Sequence, residues 1–341
     1  MTARTRWVET PPEGWDVLRR EDSNGTPLHR PELVRALVEP LSGCTAAFVL
    51  VEEADGSLIG GAPVVLERRF GLEWLRAMPF TLPGAPLARA SAHPLVDRMV
   101  ADALADSARE RRVVGGEWVL YRPAGPPLEV GTVAQIAGET RVSETDVVDL
   151  TEGASAAYRR LDRKTRESVA ASVDRGLRCA EEPEALDEIY ALYGIQARGW
   201  RGHRMKPVTM LRRLLAGETP AARLFTVRDS RGLLSGALAL VGEHEWLMWW
   251  SGSHPDSRRH QAFATLAWCM IESAARAGAT RFNLGASAGL ENVASFKKAM
   301  GARSLPVPIR WIGADYASPW GKTVAALQRR RHAGRWRGAP S

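Results

Sequence analysis

Cysteine is scarce in this chain. Cys44, Cys179 and Cys269 are the only three in 341 residues, and they form no C-x-x-C pair. That spacing implies neither a disulfide framework nor a zinc site, and the odd count fits a reducing compartment. The seven histidines show no paired spacing either, so the sequence offers no metal centre. Long apolar runs are also missing. None reaches the ~18 residues of a membrane span, and the longest, such as Leu233 to Val241, are strand-sized. The opening Met1 to Thr10 lacks the apolar core of a secretory leader. The expectation is a cytoplasmic chain with no transmembrane segment.

What is present is an ordinary globular composition, 45% hydrophobic and 25% charged, long enough for two cores. The net charge of +7 is unevenly placed. Residues 301 to 341 hold eight Lys or Arg and one acid, so the first 300 residues are neutral in sum. A basic tail over 324–341, carrying Trp336, suits RNA, an anionic lipid surface in peripheral contact, or a phosphate-rich substrate. The alternative is a solvated, frayed terminus.

Elements recur in order. In the first half, Pro31 to Leu41 reads as a helix. Phe48 to Glu52 and Leu58 to Arg68 form a hairpin about Ala54-Asp55-Gly56-Ser57, and Trp74 to Met78 is a third strand. A helix over Pro94 to Arg111 and a strand over Glu117 to Tyr121 follow. In the second half come a hairpin over Arg223 to Val241, a strand over Glu245 to Ser251, a helix over Gln261 to Ala277 and a strand over Arg281 to Leu284. Gly56 and Gly232, Gly60 and Gly236, and Trp74 and Trp250 match at one constant shift. A duplicated α/β unit is expected, with domains at 1–150 and 151–323 before the tail. On the third strand of the second unit, Trp246 and Trp250 should face one way and Trp249 the other.

Between the units the spacing predicts a basic helical segment from Tyr158 to Gly176, with Tyr158, Leu161, Thr165 and Val169 on one face. A helix over Leu186 to Arg198 leads to a loop holding Arg198, Arg201, His203, Arg204 and Lys206 without an acid. Such loops hold phosphates or carboxylates, or are simply solvated.

The stretch Arg281 to Ala302 carries the most chemistry. A short strand runs into Gly285-Ala286-Ser287-Ala288-Gly289, and a helix then places Leu290, Val293, Phe296 and Met300 on one face, with Lys297 and Lys298 beside it. Gly301 supplies a left-handed cap. Two readings compete. The glycine–serine pattern fits the nucleophile elbow of a serine hydrolase. Beyond the adjacent Glu291, however, only Asp315 and His332 follow in the required order, and His332 lies in the arginine-rich tail. No P-loop is present, because Tyr316 stands where the first glycine before Gly321-Lys322-Thr323 must be.

The second reading is a resemblance. Tyr158 to Ala302 resembles the FemAB-like branch of the GNAT acyltransferase superfamily. The resemblance is carried by Tyr158 to Gly176, by Trp246 to Ser253 with the helix from Gln261, and above all by Ala277 to Gly289 followed by Ser295-Phe296-Lys297-Lys298. It implies two tandem GNAT-like domains with mixed sheets flanked by helices, and amide-bond formation by attack of an amine on an activated acyl group. The family's Phe-Lys pair falls on Phe296 and Lys297. Lys297 would stabilise the oxyanion and Phe296 would position the acyl end. The family's arginine before a Gly-aromatic pair falls on Arg198, before Gly199-Trp200, and would hold a phosphate or carboxylate of the acceptor. Relatives carry Asp where this chain has Asn283. Acetyl-CoA-using members open the long helix with a glycine loop. Here Arg259-His260-Gln261-Ala262 has alanine at the first glycine, which favours another donor.

The resemblance therefore implies a donor substrate of aminoacyl-tRNA or acyl-CoA, the former favoured, and no permanently bound cofactor. The acceptor would be an amine-bearing cell-wall precursor or biosynthetic small molecule, possibly with phosphates. Lys297 and Phe296 are the expected catalytic pair. Lys164, Arg166, Arg198, Trp200, Arg201, Trp250, Gly285 and Ser287 are the expected substrate contacts. His203, Glu243, Glu245, His254 and Asp256 are all open as the base. The alternatives are an acyl-CoA-dependent acyltransferase and a non-catalytic nucleic-acid or membrane-surface binding protein on the same scaffold.

Overall fold

A computed structural model describes residues 3–69, 71–111, 113–124, 140–199, 205–217 and 220–312. The chain forms two compact units, one built from Met1–Ser143 and the stretch that begins at Pro306, the other from Glu144–Leu305.

The first unit contains β1 (Arg4–Val8), α1 (Gly14–Glu21), α2 (Pro31–Val38), β2 (Cys44–Glu52), β3 (Leu58–Arg69), β4 (Leu72–Arg76), β5 (Leu87–Ala88), α3 (His93–Glu110) and β6 (Gly116–Val119). The antiparallel order is β1-β2-β3-β4, with β5 on β3. Phe48, Val49, Leu50 and Val51 on β2 are all fully buried. Both faces of the sheet are covered, so this strand reads as an unbroken apolar run rather than an alternation. Val49 and Val51 meet Val96, Val100 and Leu104 of α3, while Phe48 packs edge-on against Trp15 of α1 at 5.4 Å.

The second unit contains β7 (Thr140–Asp149), α4 (Gly153–Arg160), α5 (Arg163–Ala170), β8 (Arg178–Glu181), α6 (Leu186–Ala197), α7 (Val208–Leu215), β9 (Ala222–Asp229), β10 (Gly232–Val241), β11 (Glu245–Ser253), α8 (Ser257–His260), α9 (Ala262–Arg276), β12 (Arg281–Asn283), α10 (Glu291–Ala299) and the start of β13 (Arg303–Ile312). Its strands lie in the order β7-β12-β11-β10-β9-β8. Only the β11–β12 pair among them is parallel, and it lasts three residues, Glu245↔Arg281 to Leu247↔Asn283. One face packs on α9 through Phe225, Ala237, Ala239, Trp246, Leu266 and Met270. The other packs on α6, where Tyr193 meets Trp250 edge-on at 5.3 Å.

The mixed α/β architecture and the recurrence of hairpin, third strand and helix follow the sequence expectation. Gly56 and Gly232 sit at equivalent hairpin turns with positive φ. At Gly60 and at Gly236 a Cβ would meet a side chain of the covering helix, Val96 or Ile189.

Three expectations are corrected. The basic segment is not one helix. Asp162 breaks it, accepting the Thr165 N–H at 2.6 Å as the N-cap of α5. The tryptophans of β11 do not alternate as a flat strand would place them. The register against β10 slips between Leu238↔Trp250 and Ala239↔Met248, leaving Trp249 as an extra residue. This β-bulge reverses the phase, so Trp246 faces α9 while Trp250 faces α6. Finally, Cys179 on β8 and Cys269 on α9 are joined as a disulfide, with Cα atoms 6.6 Å apart across 90 residues of sequence. Spacing alone could not show that an edge strand and a helix bring them together.

Candidate active site

The turn after β12 is fixed from beneath by a buried polar network. Asn283, 2% exposed, is the hub. Its Oδ1 accepts from Thr145 Oγ1 at 2.7 Å and from the Gly285 N–H at 2.8 Å, and its Nδ2 donates to Glu245 Oε1 at 3.2 Å. Glu245 in turn receives Arg281 Nε at 3.3 Å. An amide can donate and accept at once, which a carboxylate cannot. Asn283 therefore holds the turn, and Glu245, itself 1% exposed, is committed to the same network. Gly285 follows with φ +76, a left-handed conformation that directs its carbonyl back toward α10.

Lys297 meets that carbonyl. Its Nζ donates to Gly285 O at 2.6 Å and lies 3.2 Å from Asp146 Oδ2. The residue is 4% exposed and is the buried position of α10, whereas Leu290 is 38% exposed. The sequence placed the apolar stripe inward and the lysine beside it; the structure turns the lysine further in. Burial lowers the Lys297 pKa from its ordinary value, and the Asp146 carboxylate opposes that shift. Phe296 packs on Phe263 of α9 with ring centroids 5.4 Å apart. The C-terminus of α10 is tied down by the Asp162 N–H, which donates to Ala299 O at 2.9 Å.

Asp146 is the residue that sequence reasoning missed. From β7 it accepts Ser287 Oγ at 2.7 Å on one oxygen and Ser304 Oγ at 3.1 Å on the other. Ser304 also donates to Glu144 Oε2 at 3.0 Å. The available signal was two carboxylates, Glu144 and Asp146, at strand spacing on one face. The hydroxyl of Ser287 is thus given to a carboxylate. No histidine is bonded to it among the described residues, and Asp315 and His332 lie outside them, so the elbow reading gains no triad.

Lys297, Gly285 and Ser287 are brought together, with Phe296 as a neighbour on the same helix. No hydrogen bond or ion pair joins Lys164, Arg166, Arg198 or Trp250 to this cluster among the described residues. Lys164 and Arg166 lie on α5, where Arg166 Nη1 donates to Arg159 O at 3.0 Å. Arg198 is the exposed C-terminal cap of α6. Trp250 is 3% exposed between Tyr190 and Tyr193. Trp200, Arg201, His203 and the tail 324–341 lie outside the described residues. Of the remaining candidate bases, Glu243 is exposed, and His254 and Asp256 form an exposed pair 3.7 Å apart.

At the start of α9, Gln261 has φ +52 and its N–H is spent on Arg258 O at 3.1 Å. Ala262 is fully buried there.

Residues 155–298 match the acetyltransferase (GNAT) domain family. No curated protein matches the chain in sequence. Among solved structures the chain is similar to FemX, with a TM-score of 0.65 at 13% identity, covering 89% of this chain and 96% of that one. It is also similar to the C-terminal domain of a putative lysylphosphatidylglycerol synthetase from Agrobacterium fabrum, with a TM-score of 0.57 at 15% identity, covering 95% and 97%. A tandem GNAT protein from the clavulanic acid biosynthesis pathway matches with a TM-score of 0.50 at 12% identity, covering 92% and 99%. The family match thus covers 144 of the 341 residues, all within the second unit. At these identities the likeness to the three structures is one of fold. No described helix is long and apolar enough to cross a membrane.

Proposed function

We propose that the chain transfers an aminoacyl group from an aminoacyl-tRNA ester to an amine, forming an amide. The acceptor would be a cell-wall precursor or a biosynthetic small molecule. The observation that carries this reading is the buried Lys297 ammonium between Asp146 and the Gly285 carbonyl. A fixed cation in a site shielded from water stabilises the oxyanion that forms when an amine attacks the ester carbonyl. As the tetrahedral intermediate collapses, the ester C–O bond breaks and the tRNA hydroxyl leaves. Phe296 braces the helix that carries the lysine, through its contact with Phe263. Ala262, where acetyl-CoA-using relatives have the first glycine, supports a donor other than coenzyme A. The likeness in fold to FemX and to a putative lysylphosphatidylglycerol synthetase domain agrees with aminoacyl chemistry.

The test is a donor titration of the full chain with charged tRNA, uncharged tRNA and acetyl-CoA at physiological salt, followed by discharge of labelled aminoacyl-tRNA onto an amine pool. Charged tRNA should bind more tightly than uncharged. Lys297→Ala should slow discharge by about 10²–10³-fold, the size expected for removal of one oxyanion partner. Saturable acetyl-CoA binding with no preference for charged tRNA would replace this reading by an acyl-CoA-dependent one.

A further inference from the structure

Lysine is rare in this chain. It stands at five positions, 164, 206, 297, 298 and 322, and arginine fills the rest of the 46 Lys and Arg positions. Where any cation would serve, arginine is used. At Lys206 the amine lies over the ring of Trp249, with Nζ 5.0 Å from the centroid. Arginine stacks on an aromatic face at least as well, but it cannot give up a proton, whereas lysine can. A lysine here keeps that chemistry open.

The position is built. Pro207 follows Lys206, and α7 begins at the next residue, Val208. The Lys206 carbonyl accepts Tyr190 OH of α6 at 2.8 Å. These constraints fix the main chain from which the side chain reaches Trp249. Lys206 and Trp249 are both partly exposed, so a small molecule can reach them. Burial lowers the Lys206 pKa to about 8, and the neutral amine is therefore present near neutral pH.

Trp249 in turn stands beside the turn that holds Lys297. The parallel pairing of β11 with β12 ends at Leu247↔Asn283. Trp249 and Gly285 each lie two residues past that pair, Trp249 as the extra residue of the bulge and Gly285 in its left-handed conformation. The two segments are still close there: a Cβ on Gly285 would lie 3.7 Å from Met248 O. The end of the β11–β12 pair thus carries two lysines, Lys297 on the Gly285 carbonyl and Lys206 over the Trp249 ring. The carboxylates nearby are committed. Glu245 is bound into the Asn283 network, and Asp146 receives Ser287, Ser304 and the Lys297 ammonium.

We propose that Lys206 is the base of the transfer reaction and takes a proton from the acceptor's ammonium, a role that rests on the acyl transfer proposed for this site. An ammonium has no lone pair and cannot attack a carbonyl. One of its protons passes to the neutral Lys206 Nζ, and the freed nitrogen forms the C–N bond to the acyl carbon. As the ester C–O bond breaks, a second proton of that nitrogen goes to the departing oxygen, and the third stays on the amide. Lys206 is left as an ammonium over Trp249, where the ring face stabilises it, and returns its proton to water. The acceptor class follows from the base: an aliphatic amine that is protonated at neutral pH.

Ethylamine and trifluoroethylamine test this, because they are close in size and only the first is an ammonium at pH 7. Transfer by the full chain from labelled aminoacyl-tRNA, and separately from acetyl-CoA, is measured onto each amine. Lys206→Arg keeps a cation over the ring and removes the base. It should slow transfer to ethylamine by about 10²-fold or more, and transfer to trifluoroethylamine far less. Lys297→Ala should slow both alike. An equal loss on the two amines in Lys206→Arg would give Lys206 a structural role only, and no loss would give it none; either result overturns the proposal. Transfer from acetyl-CoA alone would replace the aminoacyl donor, while the comparison of amines still decides the role of Lys206. If the unaltered chain transfers from neither donor to either amine, the acyl-transfer reading and the proposal fall together.

Discussion

Lys297 and Asp146 divide the work of one charge. Burial lowers the lysine's pKa, and the carboxylate at 3.2 Å opposes that shift. Removing the carboxylate while keeping the shape, as in Asp146→Asn, lets burial act unopposed. The Lys297 pKa then falls further, and the ammonium is lost at a lower pH than in the unaltered chain. Activity that needs the ammonium should therefore show its alkaline limb displaced to lower pH. A pH–rate profile measures this, and an unmoved limb would mean that Lys297 is not the charged group that matters. Lys297 was legible because the Phe-Lys pair and the turn before it lie within one stretch of sequence. Asp146 was not, since its bond to Ser287 spans 141 residues and only the β7–β12 pairing creates it.

At the level of elements, strands and helices were readable wherever apolar spacing was regular. The hairpins, α3, α6, α9 and α10 stand within a few residues of where periodicity puts them. Irregular points were not. A bulge adds a residue without marking it in the pattern, so Trp250 was assigned the wrong face. Likewise, Asp162 looks like any surface acid until its side chain is seen to cap α5. The bulged strand also makes a close backbone approach: a Cβ on Gly252 would lie 2.6 Å from Ile189 O and 2.9 Å from Tyr193 N of α6. Those atoms belong to a helix backbone and cannot step aside singly. Gly252→Ala should cost about 1–3 kcal/mol, read as a lower midpoint in urea with an unchanged slope. A midpoint equal to that of the unaltered chain would show that α6 shifts freely.

For the molecule as a whole, tandem α/β organisation could be read from the order of elements, but the cross-link within the second unit could not. The Cys179–Cys269 bridge fastens β8 to α9. Thiol titration of the denatured, unreduced chain should find one group, that of Cys44, and three after reduction. Cys179→Ser should lower stability by about 2–4 kcal/mol by releasing the loop between the two positions. Three thiols before reduction would show that the bridge does not form in solution.

The path of β13 has a consequence in time. Its first residues belong to the second unit, whereas from Pro306 onward it belongs to the first, where Ile309 to Ile312 pair with β6. A chain made from its N-terminus therefore exposes Gly116–Val119 while all of the second unit is still being synthesised. An unpaired strand left waiting in this way is an open template for a neighbouring nascent chain. The last strand described is thus the one that closes the first unit, and translation cut off after Leu305 would leave that unit with an unsealed edge.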